Sequence, residues 1–526
     1  MHFGSDFRRW KLPGNGLKVW SAIFMALSLS NSSSDELDPA QLASDILEGL
    51  KLFRVPGLAL SVVRDDQVVI ARGYGVREMR TDQAVDEHTL FGIASISKSF
   101  TAVCLGMLVD EGRLDWDDRV RRYLPDFELY DPVASREMTI RDLLTHRSGL
   151  HPVSGGTLWY GTDYSRAEVV HRLRYLRPTD AFRYRYAYQN TMYMVAGEVV
   201  EAISGVSWDQ FVRDRIFQPL GMRRSNTSIK AQQGLENVAR PHILKNGELM
   251  AVALRNYDNV GPAASINTCV LDLAQYMRMH INQGTIGANT LLSSGTSSEI
   301  FSAQISLDPR TYWAGMEGGV RPRFRAYGLG FRMQDYRGRK LVGHSGGIDG
   351  LYSLLTMIPE EGIGIVVLTN QQSSLKDAVT YTILDKLLGA AGLDWFSYYL
   401  RRSRSAQEEI RRRVEDRVES RIPDTKPSLS TDAYVGTYSD RMYGDIYFDG
   451  GGDRLTLRFS RTPSFTATVT HWHYDTFLMR WDDAMVPDGL VTFTLDSAGS
   501  VNGLKLDQPN LLDVDFSELE FVRKLP

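Results

Sequence analysis

The chain has 526 residues, of which 43% are hydrophobic and 24% are charged, and its formal net charge at pH 7 is −4. This length exceeds what one hydrophobic core supports, so we expect roughly two to four domains. There is no basic excess, and therefore no reason to expect nucleic acid or an anionic membrane as a partner. The two cysteines, Cys104 and Cys269, are too few for a disulfide framework.

Residues 1–39 are predicted to be a tail or a signal-like segment. Several basic residues precede an apolar run at 19–29 and a Ser/Asn-rich stretch. This order is typical of a signal peptide and also of an appended helix. The protein would be secreted in the first case and cytoplasmic in the second. No stretch reaches the ~20 apolar residues of a bilayer span, so no stable membrane insertion is expected.

Residues 40–400 are predicted to form one catalytic domain. Strands are expected near both of its ends, at 57–71, 340–346, 352–357 and 363–369. Helices are expected at 40–53, 192–203 and 375–388. Strands at both ends with helices between them predict an α/β fold of the α+β type, in which helices flank a central antiparallel sheet.

Ser95 and Lys98 are the first candidates for catalysis. The apolar run 100–109 that follows them is predicted to be a buried helix that stops near Gly112, with Ser95 at its N-terminal end. Positions i and i+3 are neighbours on a helix, so the Lys98 amine is expected beside the Ser95 hydroxyl. A desolvated lysine has a lowered pKa and can take the proton of a serine nucleophile. Taken alone, the pattern also fits an ordinary surface helix.

Tyr188 and Asn190 precede the helix predicted at 192–203. A tyrosine here could share the proton transfer with Lys98, and the asparagine could bond a substrate carbonyl or amide. Several other tyrosines crowd the same segment, so ordinary packing is the competing interpretation. His146 and His151, which lie upstream, are expected to order a loop.

A third motif, His344-Ser-Gly346-Gly347, lies in a strand that is predicted to form an edge. Consecutive glycines let a ligand backbone approach closely. The N–H of Gly347 would be a natural oxyanion donor beside the N–H of Ser95. We therefore expect Asn190, His344, Gly346 and Gly347 to contact the substrate.

Together the three motifs resemble those of the serine β-lactamase and penicillin-binding-protein superfamily, in its class C and esterase-like branch. The resemblance covers residues from about 45 to 390. It implies a small-molecule acyl substrate, an acyl-enzyme on Ser95, and no metal or organic cofactor. Many members carry lysine where this chain has His344. A histidine is mostly neutral at pH 7, so recognition of a substrate carboxylate is not expected.

The C-terminal part changes character. Residues 401–429 are predicted to be a charged linker with a solvated helix. Residues 430–526 contain eight short strand patterns, which predict a small antiparallel barrel or sandwich and resemble a lipocalin-like domain. We expect this barrel to pack beside the catalytic domain and to shape access to Ser95. Few large apolar residues are expected inside it to line a cavity.

The sequence therefore predicts a serine hydrolase or acyltransferase, with Ser95 as nucleophile and with Lys98 and Tyr188 handling the proton. Ester substrates are favoured, and amides stay possible. The alternatives are a D-amino-acid-directed peptidase and a catalytically silent binding protein of the same fold. A silent protein would be expected to have lost one of these three residues. The oligomeric state is left open.

Overall fold

The structure is a computed structural model that describes residues 37–309, 320–390, 392–451 and 454–524. The signal-like run at 19–29 lies outside these residues. The described chain forms an eight-stranded antiparallel sheet with helices against it, followed by a closed eight-stranded barrel. This architecture confirms the predicted fold class.

The sheet is assembled from both ends of the catalytic part of the chain. Its strands, in sheet order, are Gln67–Gly75, Gly57–Arg64, Ile363–Thr369, Leu351–Ile358, Arg339–Ile348, Arg332–Tyr336, Arg325–Tyr327 and Ile305–Leu307. Every neighbouring pair is antiparallel. Where the N-terminal strands meet the C-terminal ones, Leu58 lies opposite Thr369 and Arg64 lies opposite Ile363. Short two-stranded pairs join Phe91–Gly92 to Asn267–Thr268, His242–Lys245 to Glu248–Ala251, and Thr285–Ile286 to Asn289–Thr290.

Helices cover both faces of the sheet, which is why its central strands are apolar on both sides. The described α-helices of five or more residues are Pro39–Phe53, Ser97–Asp110, Pro132–Glu137, Ile140–Leu144, Arg166–Arg172, Thr191–Ser204, Trp208–Val212, Val270–Ile281, Ser294–Ile300, Leu375–Leu387 and Trp395–Glu419. Leu58 and Leu60 pack with the first of these helices and with Leu375–Leu387. On the other face, Ala59 packs in the cluster that contains the Ser97–Asp110 helix. The predicted helices at 40–53, 192–203 and 375–388 are confirmed to within one residue.

The charged helix begins earlier than predicted. It runs from Trp395 to Glu419, because its first turn belongs to the core. The Trp395 side chain is buried, and its Nε1 donates a hydrogen bond to Asp385 at 2.8 Å. The remainder of the helix is mostly exposed. Among the described residues, no helix is both long and apolar enough to cross a membrane.

The barrel is filled by its own side chains. Its strands are Gly436–Asp440, Gly444–Gly451, Arg454–Phe459, Thr466–His473, Thr476–Trp481, Gly489–Leu495, Val501–Asp507 and Phe521–Arg523. The Phe493 ring lies 5.0 Å from that of Phe448 and 5.6 Å from that of Phe477. The expectation of few large apolar residues inside is therefore wrong. Aromatic rings occupy the interior, as in other small barrels whose centre is a packed core.

The barrel packs against the catalytic part of the chain, as predicted. Arg255 bridges the two parts, since its guanidinium bonds Asp349 at 2.6 Å and the barrel residue Asp483 at 2.5 Å. The Arg172 side chain donates to the backbone oxygen of Met442 at 2.7 Å. These partly buried charged contacts hold the barrel in one orientation on the catalytic part.

Candidate active site

Ser95 lies in a tight turn directly before a buried helix. A 3₁₀ turn at Ala94–Ile96 leads into the Ser97–Asp110 helix, so Ser95 precedes that helix rather than beginning it. Ala94 has a φ of 47°, a left-handed conformation that L-residues adopt rarely and that often marks functional sites. Gly346 permits this close packing, because a Cβ there would lie 2.0 Å from the oxygen of Ile93.

Lys98 is completely buried beside Ser95. Its Nζ lies 3.1 Å from Ser95 Oγ, 2.6 Å from Asn190 Oδ1 and 3.1 Å from the backbone oxygen of Ala263. Burial lowers the Lys98 pKa from 10.5 to about 7; the Asp513 carboxylate raises it and the Arg332 guanidinium lowers it. A large fraction of Lys98 is therefore neutral near pH 7 and can accept the Ser95 proton.

Tyr188 approaches the serine from a different segment. Its hydroxyl donates a hydrogen bond to Ser95 Oγ at 2.8 Å. Burial, together with the charge of Asp513, raises the Tyr188 pKa well above 10, so the phenol is protonated at neutral pH. The predicted proton pair thus has unequal members. Lys98 is suited to accept a proton, and Tyr188 is suited to donate one.

Asn190 links Lys98 to the barrel. Its Oδ1 accepts from Lys98, while its Nδ2 donates to Asp513 Oδ2 at 3.0 Å. Asp513 belongs to the connection between two barrel strands, and it is 323 residues away from Asn190 in the chain. No local sequence pattern marks it. Sequence reasoning therefore missed a carboxylate that the fold brings to the site.

His344 is buried next to the site and is neutral. Its Nδ1 lies 2.6 Å from the backbone oxygen of Ser345, and its Nε2 lies 3.1 Å from the Tyr327 hydroxyl. Burial and the nearby cations Arg332 and Lys98 hold the pKa of His344 well below 6.5. No cation therefore stands at position 344. The His344 side chain is only 2% exposed, and it packs against the Tyr327 and Tyr188 rings.

The glycine strand is an edge over only half of its length, which corrects the sequence prediction. Between Arg339 and Gly343 it pairs with the Arg332–Tyr336 strand. Beyond Gly343 its described pairing continues only with the Leu351–Ile358 strand. Gly346 packs on the Ser95 turn and Gly347 lines the same cleft as Ser95, as expected for strand backbone that a ligand is to approach.

A narrow cleft opens onto Ser95. Residues that line it include the aromatic side chains Trp159, Tyr160 and Tyr257, the strand residue Gly347, and the barrel residues Leu512 and Asp513. Ser95 and Gly347, the two predicted oxyanion donors, thus line the same cleft. The barrel forms part of its wall.

His146 holds the segment that carries Tyr188. Its Nδ1 accepts the N–H of Gln189 at 3.0 Å, and its backbone oxygen accepts the N–H of Ala187 at 2.7 Å. Its ring centroid lies 4.6 Å from that of Tyr188. Burial lowers the His146 pKa well below 6.5, which keeps Nδ1 free to accept this bond. The expected loop-ordering role therefore has a concrete geometric basis.

Comparison with known proteins places this geometry in a family. A family model described as Beta-lactamase matches residues 45–390. The chain belongs to the beta-lactamase family. A second model, described as a domain of unknown function (DUF3471), matches residues 420–523 of this beta-lactamase family member and so covers the barrel.

Similar proteins include hydrolases and penicillin-binding proteins. Unguisins hydrolase ungD' of Aspergillus campestris is 28% identical over 459 residues, which cover 84% of this chain and 83% of the relative. Penicillin-binding protein 4 of Amycolatopsis lactamdurans is 31% identical over 332 residues, covering 60% of this chain and 81% of the relative. The relatives thus support a hydrolase of the beta-lactamase type.

Solved structures share the fold over nearly the whole chain. The octameric penicillin-binding protein homologue from Pyrococcus abyssi has a TM-score of 0.60 at 23% identity, covering 93% of this chain and 100% of that chain. SurE has a TM-score of 0.54 at 20% identity, covering 92% and 98%. At these identities the similarity shows a shared fold. The matched part of this chain extends into the barrel.

The pH dependence of this beta-lactamase family member should report the state of Lys98. We expect kcat/KM for an uncharged ester to rise with pH through about 7, because the amine must lose its proton before it can accept one from Ser95. Tyr188 should cause no fall at moderately alkaline pH, since its pKa is raised well above 10. A pH–rate profile tests this, and an acid limb near pH 4 would contradict a lysine base.

Proposed function

We propose that the protein is a serine hydrolase that cleaves esters or amides through an acyl-enzyme on Ser95. The observation that carries the proposal is the position of Ser95 Oγ, 3.1 Å from the amine of Lys98 and 2.8 Å from the hydroxyl of Tyr188. A nucleophile with an amine of lowered pKa on one side and a protonated phenol on the other is arranged for acyl transfer.

In the proposed reaction, neutral Lys98 takes the Ser95 proton as Oγ attacks the substrate carbonyl. The oxyanion that forms is stabilised by the N–H groups of Ser95 and Gly347. When the carbonyl re-forms, the bond to the leaving group breaks, and a proton passes to the departing alcohol or amine. Tyr188 delivers this proton and is reprotonated from Lys98. Water, deprotonated by the same amine, then releases the acid and restores Ser95.

The molecule that takes the acyl group from Ser95 distinguishes a hydrolase from an acyltransferase. An alcohol or amine in place of water would make the protein a transferase. The hydrolase name of the Aspergillus campestris relative favours water. A catalytically silent binding protein is disfavoured, because Ser95, Lys98 and Tyr188 are all present and within hydrogen-bonding distance.

Intact-protein mass spectrometry tests the proposal directly. The protein is incubated with a panel of activated acyl esters, peptides and penicillin, and then denatured at intervals. A mass increase equal to the acyl group, located on Ser95 by peptide mapping, is the expected result. Acylation mapped to another residue, or substrate turnover without a serine adduct even at short times, would contradict the proposed mechanism.

Substrate preference follows from the neutral His344. Without a cation at this position, we expect a short-chain aryl ester to be cleaved with a kcat/KM at least about 10-fold above that of a chromogenic cephalosporin, since a charged hydrogen bond to a carboxylate contributes about 1.5–3 kcal/mol. His344→Lys should shift the ratio toward the cephalosporin. Steady-state kinetics with both substrates decides the matter, and faster cephalosporin cleavage by the parent protein would overturn this expectation.

A further inference from the structure

One connection of the barrel enters the Ser95 cleft. It joins the Val501–Asp507 and Phe521–Arg523 strands, and Asp513 lies near its middle. A Cβ at Gly156 would lie 2.2 Å from the backbone oxygen of Asp513, and a Cβ at Gly347 would lie 2.9 Å from Leu512 Cδ2. The connection thus packs against the Gly156–Trp159 helix and the glycine-containing strand, where only glycines leave it room.

The carboxylate of Asp513 has a neutral partner. It accepts a hydrogen bond from the side-chain amide of Asn190 at 3.0 Å, and across the described part of the chain it forms no salt bridge with a lysine or arginine. Asp349, which also lines the cleft, differs because Arg255 contacts it at 2.6 Å. Among the described residues, Asp513 therefore presents to the cleft a carboxylate that no cation contacts directly, and an ammonium group there would form a charged hydrogen bond with it.

We propose that Asp513 binds the ammonium group of the substrate, so that the enzyme selects acyl donors with a free amine next to the scissile carbonyl. The inference rests on the proposed acyl-enzyme function of Ser95 and specifies its substrate class. Three aromatic side chains of the cleft, Trp159, Tyr160 and Tyr257, favour the same occupant. The face of an aromatic ring attracts a cation electrostatically.

The Asn190 amide adds discrimination against acylated amines. Its Oδ1 is taken by Lys98 and its Nδ2 by Asp513, so both ends of the amide are engaged. The carbonyl of an N-acyl group would have to displace Asp513 to reach Nδ2, and it would then face a carboxylate. This repulsive element selects against N-acylated substrates, while the ammonium form gains an attraction.

An ammonium group bound at Asp513 would also lower the pKa of Lys98, the proposed base. Charged and titratable groups around Lys98 are Asp513, Arg332, Tyr188, Tyr193, His146 and His344. Of these, Asp513 is the one whose charge raises the pKa of Lys98. A substrate cation at Asp513 offsets that charge and favours the neutral amine. Asp513→Asn should likewise move the acid limb of the pH–rate profile to lower pH.

A matched pair of substrates tests the inference. Phenyl alaninate and phenyl isobutyrate differ by an ammonium in place of a methyl group, and most of the amine is protonated at pH 7. For the parent protein we expect kcat/KM to be about 10-fold or more higher for the alaninate, tested as both enantiomers, since a charged hydrogen bond contributes about 1.5–3 kcal/mol. N-Acetylation should abolish the advantage.

Two variants distinguish binding of the substrate ammonium by Asp513 from simple obstruction of the cleft by the connection. Asp513→Asn keeps an acceptor for Asn190 and should lose the alaninate preference, mainly through a higher KM for the alaninate. Glu520→Gln removes an exposed carboxylate from the same connection and should keep the preference. If Asp513→Asn retains the preference, the inference is wrong. It is also wrong if the variant speeds both esters equally, because the connection would then only obstruct the cleft.

The same experiment distinguishes failure of the inference from failure of the proposed function. If an activated ester acylates Ser95 but the protein shows no preference for the ammonium substrate, the proposed function stands. Only the role of Asp513 is then refuted. Hydrolysis of either ester by Ser95→Ala at the parent rate refutes the proposed function itself.

Discussion

Ser95→Ala is expected to abolish covalent labelling by a fluorophosphonate and to lower ester turnover by about 10³-fold or more. Loss of a nucleophile removes the acyl-enzyme route, and what survives comes from binding and oxyanion stabilisation alone. Ser95 is almost fully buried, but the change removes a single oxygen from a small side chain. The fold should therefore persist, as judged by circular dichroism and melting temperature.

A serine in the first turn of the Ser97–Asp110 helix supplies the matched control. The Ser99 hydroxyl is buried, donates to the backbone oxygen of Ile96 at 2.7 Å, and lies outside the cleft. Ser99→Ala should label at the parent level even if it melts at a lower temperature. Equal labelling of Ser95→Ala and the parent protein would show that another residue is the nucleophile.

Lys98→Ala and Tyr188→Phe are each expected to lower kcat by about 10²-fold or more, the usual range for general acid–base groups. Both side chains contact Ser95 Oγ, so they act on one proton. The double variant should therefore lose much less than the product of the two single losses. A double-mutant cycle on kcat for a small ester measures this coupling, and independent multiplicative losses would argue against a shared proton.

Tyr193 offers a control for the tyrosine change. Its ring also lies near Lys98, 5.5 Å from Nζ, but its hydroxyl donates to the backbone oxygen of Leu144 at 2.7 Å. Tyr193→Phe should keep kcat within a few-fold of the parent. Because Lys98→Ala also leaves Asn190 Oδ1 and the Ala263 oxygen without their donor, its melting temperature is measured beside its rate.

Local sequence determined the parts of the fold that depend on neighbouring residues. The helix predicted at 192–203 is found at Thr191–Ser204, and it ends at Gly205 in the left-handed conformation that glycine adopts without strain. Ser95 and Lys98 are three positions apart, so a helical turn is enough to bring their side chains within 3.1 Å. Fold class and this pair could therefore be predicted from the amino-acid sequence alone.

Tertiary structure decided what depends on distant segments and on burial. Tyr188 reaches Ser95 across 93 residues of chain, and Asp513 reaches Asn190 across 323. No periodicity encodes such pairings, since they arise only when the sheet closes and the barrel packs against it. The lowered pKa of Lys98 and the neutral state of His344 likewise come from burial, which exists only in the folded protein. The sequence by itself thus determined the neighbouring serine and lysine, and packing decided the pKa of that lysine and which carboxylate lines the cleft.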